Sequence, residues 1–132
     1  MDHLQKHYRK LDGLKFLLIN QIKTLKHEEP FHVLHWHGDR ILLPNKAVLI
    51  ASSARCKEQF FRIGNFAYGL QFHIETTGGM INKWIKEDKE FVLKGLGSNG
   101  QEILKEENKK YIDKTFLKRK LLISKLFELL DN

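Results

Sequence analysis

Gly69-Leu-Gln-Phe-His-Ile-Glu-Thr-Thr77, GLQFHIETT, is where the chain changes texture: an apolar run gives way to polar residues and glycines. In a strand, residues i and i+2 point to the same side, so His73 and Glu75 can touch, and the carboxylate can then hold one tautomer of the imidazole. Thr77 stands where the N-cap of a following helix belongs. The stretch therefore reads as the end of a strand that hands a polar pair to the start of a helix.

Upstream, from Phe31 to Phe72, short apolar runs are separated by turn residues. The runs are Phe31 to Trp36, Arg40 to Leu43, Ala47 to Ala51, Gln59 to Ile63 and Ala67 to Phe72, and the breaks are Gly38-Asp39, Pro44-Asn45 and Gly64-Asn65. Strands joined by tight turns are the natural reading. Further upstream, residues 1–29 carry Leu4, Tyr8, Leu11, Leu18, Ile22 and Leu25 at spacings of three and four for the most part, which predicts an amphipathic helix. Gly13 and the unbroken run Phe16-Leu17-Leu18-Ile19 pull the other way, since a short buried strand has the same local pattern.

Downstream the helical period takes over with Met80, Ile81, Trp84 and Ile85. Ser98-Asn99-Gly100-Gln101 has the form of a capping box ahead of a second helix through Ile103 and Leu104. A last helix is marked by Phe116, Leu117, Leu121, Ile123, Leu126, Phe127 and Leu130. Strands followed by helices predict an α/β domain rather than a helical bundle. At 132 residues, 42% hydrophobic and with 2 Pro, the chain supports one core, so residues 1–132 are read as a single domain or part of one.

Charge and leader content exclude some classes. No apolar run is long enough to cross a bilayer, and Met1 to Lys6 lacks the charged start and apolar core of a secretory signal, so a soluble cytoplasmic protein with no membrane partner is expected. The formal charge of +7 comes mostly from Lys scattered along helix-like segments, with Glu106, Glu107 and Asp113 interspersed between Lys105 and Lys125. That pattern describes a solvated surface and argues against a nucleic-acid partner.

Three chemistries present themselves. His32, His35 and His37 lie close together, and two imidazoles on one strand face can seat a metal, but no further ligands follow in a recognisable pattern, so neither metal nor cofactor is expected. His37-Gly38-Asp39 closes a strand with a glycine, which lets a ligand approach the backbone, although a plain Gly-Asp turn reads the same way. Cys56, the single cysteine, has a basic context in Ser52 to Glu58 but no glycine for the tight turn that presents a nucleophile, so it reads as a structural thiol.

The order of these pieces resembles the C-terminal half of class I glutamine amidotransferases, in particular the GMP synthase-like branch. The resemblance runs from Phe31 to Ile85 and rests on His37-Gly38-Asp39, Leu43-Pro44, Ser53-x-x-Cys56, Gln59-Phe60 and Gln71-Phe72-His73-Ile74-Glu75 in this order and spacing. It is weaker over residues 1–30 and 94–132. It implies a flavodoxin-like, three-layer α/β fold. It also implies that His73 is the general base and Glu75 its orienting carboxylate in a Cys-His-Glu triad, with His37, Gly38 and Asp39 along the pocket for glutamine, the small-molecule substrate.

The sequence departs from the resemblance at the nucleophile. The family's cysteine sits in a glycine-x-cysteine-x-glycine elbow upstream, nothing before Phe31 resembles it, and Cys56 matches a different cysteine. The chain is thus expected to be a partial domain, through gene splitting, decay or a misassigned start, and inactive by itself. It hydrolyses glutamine to supply ammonia only if a separate chain brings the nucleophile. The alternative is an inactive remnant or interaction module, and an exposed sheet edge adds an expectation of self-association.

Overall fold

The computed structural model describes residues 8–10, 17–24 and 29–131. Eight strands come first: β1 (Tyr8–Lys10), β2 (Leu17–Thr24), β3 (Phe31–Trp36), β4 (Asp39–Ile41), β5 (Ala47–Ser52), β6 (Phe60–Ile63), β7 (Ala67–Leu70) and β8 (Phe72–His73). Four helices follow: α1 (Gly78–Glu87), α2 (Lys89–Leu96), α3 (Gly100–Tyr111) and α4 (Phe116–Asp131). The expected α/β order of strands and then helices is what the molecule has.

Strand β3 organises the rest because it is covered on both faces. Alternation sends Leu34 and Trp36 to one side, where they meet Ile81 and Ile85 of α1, Val92 of α2 and Leu104 of α3. It sends Val33 to the other, where Ala51, Phe60, Phe72 and Ile74 gather and α4 adds Leu122, Ile123 and Leu126. Helices thus lie on both sides of the strands. A strand buried on both faces has no polar side to show, which explains why Phe31 to Trp36 reads as a nearly continuous apolar and aromatic run.

Six strands form one antiparallel sheet in the order β7-β6-β5-β2-β3-β8, and β1 and β4 form a separate pair. The two ends of that order, β7 and β8, are consecutive in the chain and separated only by Gln71. The sheet must therefore curl until its ends nearly meet. Gln71 pins the join, its backbone N–H donating to the Gln59 carbonyl at 2.9 Å and its side-chain Nε2 to the Glu58 carbonyl at 2.9 Å. Opposite Phe61, Gly69 has no room for a side chain: a Cβ there would lie 2.3 Å from the Phe61 ring.

Strand β2 corrects the helix expected over residues 1–29. Its first six residues pair with β3, Leu17 opposite Trp36 through Ile22 opposite Phe31, and Lys23 and Thr24 pair with β5. Backbone partners on both sides outweigh a three-and-four spacing that is only a weak signal. Tyr8 falls in β1, whereas Leu4, Leu11 and Leu25 lie outside the described residues.

The helical half needs two smaller corrections. An additional helix, α2, separates the first and second expected ones. The expected capping box is not formed either: Asn99 is the N-cap of α3, with no side-chain cap hydrogen bond. Thr77 does cap α1, its Oγ1 accepting from the Met80 N–H at 3.2 Å. Asn108 of α3 strengthens that junction by donating through Nδ2 to the Gly78 carbonyl and to Asn82 Oδ1, both at 3.0 Å. Among the described residues, no helix is long and apolar enough to cross a membrane.

Candidate active site

His73 is the last residue of β8, paired opposite Leu34 of β3, and the chain turns away immediately after it. With the ladder ended, the side chains of His73 and Glu75 come together: His73 Nδ1 lies 2.7 Å from Glu75 Oε1. A carboxylate only accepts, so Nδ1 carries the proton and Nε2 is left as the nitrogen able to take one up. The His73 ring rests edge-on against Trp84 of α1, with centroids 5.1 Å apart, and Trp84 in turn meets Trp36 at 5.6 Å. Trp36, His73 and Trp84, with Glu87 and Asp88, line an open cleft of about 400 Å³. His73 and Glu75 are both open to solvent, with side chains 32% and 55% exposed. For Glu75, partial burial works against the charged form. The hydrogen bond from His73, followed by backbone N–H groups, outweighs it and holds the carboxyl below its ordinary range.

The His37-Gly38-Asp39 segment makes the bend between β3 and β4. His37 Nδ1 donates to the Asp39 carbonyl at 2.8 Å, so that imidazole too has one fixed tautomer. Burial lowers its pKa, the Asp39 carbonyl partly restores it, and the charge of His73 lowers it further. Gly38 is not among the described glycines with positive φ, which are Gly64 and Gly97, and Asp39 is exposed.

Of the three clustered histidines, His32 is separated from the other two. His32 stacks on Tyr111 of α3, with centroids 3.8 Å apart and planes within 9°, while His35 is buried against Phe72 and meets His37 edge-on at 6.1 Å. Residues 32 and 35, an odd number apart, fall on opposite faces of β3. No group of three potential metal ligands occurs among the described residues.

Cys56 lies apart from the cleft, in the loop between β5 and β6. The Ser53 hydroxyl donates to the Cys56 carbonyl at 3.1 Å and accepts from Gln59 Nε2 at 3.0 Å, which closes a tight turn around the thiol. The thiol itself is 1% exposed and points toward Glu58, Sγ to Oε2 4.0 Å. Glu58 is also gripped by Arg40, whose Nε and Nη2 donate to its two oxygens at 2.6 and 2.9 Å. Burial raises the Cys56 thiol pKa, the reverse of what activates a nucleophile. The serine-x-x-cysteine and glutamine-phenylalanine motifs thus have a mechanical use: they build the loop whose Glu58 and Gln59 carbonyls anchor Gln71, two residues before His73.

Comparison with known proteins bears on the fold. No family model matches the sequence. Over 68 residues the chain is 34% identical to YfeJ of Salmonella typhimurium, named a glutamine amidotransferase-like protein, covering 52% of this chain and 28% of that one. The chain is thus similar to a glutamine amidotransferase-like protein over about half of its own length. Its fold matches that of a glutamine amidotransferase from Thermotoga maritima with a TM-score of 0.70 at 24% identity, over 95% of this chain and 54% of the other. A glutamine amidotransferase from Methylobacillus flagellatus gives 0.67 at 17% identity, over 93% and 55%. The chain therefore spans about half the length of these two structures and less of the curated relative.

Sequence reasoning missed one residue beside the candidate pair. Arg119 of α4 is 5% exposed and donates into the loop that carries Glu75. In Lys118-Arg119-Lys120 it looks like part of a solvated cationic face. The available signal is its spacing, because Arg119, Leu122, Ile123 and Leu126 stand at i, i+3, i+4 and i+7 on the stripe that α4 turns inward.

Proposed function

We propose that the chain is the histidine- and glutamate-bearing portion of a class I glutamine amidotransferase domain, which hydrolyses glutamine to supply ammonia when a separate polypeptide provides the cysteine elbow. The observation that carries this reading is the 2.7 Å contact between His73 and Glu75 at the mouth of an open cleft, in a fold of that kind. In it, His73 Nε2 takes the proton of the incoming thiol, and the thiolate attacks the glutamine carboxamide carbon. The same nitrogen returns the proton to the departing ammonia, and water then cleaves the thioester to release glutamate. Glu75 holds the ring in the required tautomer and stabilises its charged form. His37, Gly38 and Asp39 border the glutamine position.

No positioned thiolate can be assigned to this chain, since its only cysteine is buried with a raised pKa. The isolated 132-residue chain is expected to release no ammonia from glutamine above background, and adding a polypeptide that carries the elbow and its strands restores release. Coupled ammonia detection on each part and on the mixture tests this. Activity of the isolated chain that vanishes in Cys56→Ser would end the reading, by making Cys56 the nucleophile.

A second reading, as an interaction module, is favoured by α4, which leaves Phe116, Leu117, Leu121 and Phe127 between 54% and 75% exposed. Apolar surface of that extent on a helix recruits other chains. Light scattering is expected to find the chain self-associated; a monodisperse monomer across micromolar concentrations counts against it.

A further inference from the structure

We infer that Arg119 is the positioning residue of the His73–Glu75 pair: by holding the backbone carbonyls on both sides of Glu75, it fixes the place from which that carboxylate reaches the imidazole. Arg119 Nη1 donates to the Ile74 carbonyl at 2.9 Å and to the Thr76 carbonyl at 2.8 Å. Nη2 donates to the Ile112 carbonyl at 2.9 Å, and Nε to Thr115 Oγ1 at 3.2 Å. Ile74 and Thr76 are themselves buried, at 8% and 2% exposure, so the loop is gripped from inside the fold while Glu75 between them projects outward.

The backbone needs this grip because the β8 ladder stops at His73 and α1 begins only at Gly78. Between them the carbonyls of Ile74 and Thr76 have no strand partner, and a buried carbonyl must find a donor. A guanidinium suits the task, since its planar fork offers five N–H groups in fixed directions and four contacts here use it. Lysine has one ammonium point and cannot reach two carbonyls, a third and a hydroxyl together. Burial pushes the Arg119 pKa down from its ordinary value, and the anionic charges of Glu75 and Asp113 oppose that shift.

The reach of the inference differs between its two parts. That Arg119 sets the geometry of the pair stands on the contacts alone; that this geometry serves catalysis rests on the functional reading above. The experiment separates them. Nitrogen-15 spectra of the His73 imidazole report its tautomer without any turnover. In the unmodified chain the Nδ1-protonated form is expected to dominate among neutral rings. In Arg119→Met its population falls by about half or more, while amide protection of Ile81 and Ile85 in α1 is unchanged. Arg119→Lys should give an intermediate value. If Arg119→Met does not fold, Thr115→Val, which removes the Nε acceptor together with that hydroxyl's own hydrogen bond to the Tyr111 carbonyl, and Arg119→Lys take its place with the same readout and a smaller shift. In the reconstituted domain, kcat falls by about ten- to a hundredfold in Arg119→Lys while KM stays within about twofold. An unchanged His73 tautomer in every folded variant, with lost amide protection confined to α4, would overturn the inference by making Arg119 only an anchor for that helix. Failure of reconstitution with the tautomer shift intact would remove the catalytic reading and leave the positioning role standing.

Discussion

Replacing His73 with alanine is expected to cut ammonia release by about a thousandfold or more in the domain reconstituted with the cysteine elbow. The size follows from the two proton transfers assigned to one nitrogen. Without it the thiol must ionise unaided and ammonia must leave without a proton donor, and a nucleophile and its base act as a unit. Glu75→Gln keeps the volume but replaces an anion with an amide that can donate as well as accept, so the ring loses its fixed tautomer and its counter-charge. A loss on the order of a hundredfold or more is expected, mostly in kcat, because neither residue is assigned to binding the glutamine carboxylate or amine. Cys56→Ser should leave the rate unchanged. The measurement is steady-state ammonia release from matched amounts of correctly folded mixtures. A His73→Ala mixture that retains a tenth of the activity would be incompatible with His73 as the base.

How far such a site can be read from sequence depends on which contacts are local. The His73 and Glu75 pairing was legible because it needs only the two-residue repeat of a strand and a place where that strand ends. The same holds for the Thr77 cap and for the turns at Pro44-Asn45 and Gly64-Asn65. Arg119 was not legible in that way. Its partners Ile74 and Thr76 lie 45 and 43 residues away, they are backbone carbonyls that any residue supplies, and only the spacing to Leu122, Ile123 and Leu126 separates this buried Arg from its exposed Lys neighbours.

The misreadings of the fold share a cause. In β2, Leu18 and Ile22 stand four apart as they would on a helix, yet they are strand residues paired with His35 and Phe31. Short apolar runs carry both periods at once, and only the pairing partners decide. In α4, the apolar residues that mark the helix divide between its two sides: Phe116, Leu117, Leu121, Phe127 and Leu130 are exposed, whereas Ile123 and Leu126 pack inward beside Leu122. Hydrophobicity placed the helix but did not distinguish its two sides. The contacts of Arg119 set which side faces in, since its two hydrogen bonds to the Ile74 and Thr76 carbonyls are made only with that side turned in.

The second large effect is expected from Ile81→Ala, at about 2–5 kcal/mol of lost stability. Ile81 has no exposed surface and sits with Leu34, Ile85, Val92 and Leu104 in the cluster that joins the strands to α1, α2 and α3. Removing three side-chain carbons there loses their transfer energy and leaves a cavity that four neighbours from four different elements cannot all relax into. A domain of this size has a total stability of roughly 5–15 kcal/mol, so a substantial part of it goes with one side chain. The paired control is Leu121→Ala on α4, where the side chain is 56% exposed and the expected change lies within about 0.5 kcal/mol. Denaturant titration of both variants decides the matter through the shift in midpoint at constant slope. The site should respond as well, because α1 carries Trp84 and the edge contact of that indole with His73 depends on how firmly the helix is seated. Equal midpoint shifts in the two variants would mean that α1 is not packed on β3 through Ile81, and the cleft wall formed by Trp36 and Trp84 would lose its structural basis.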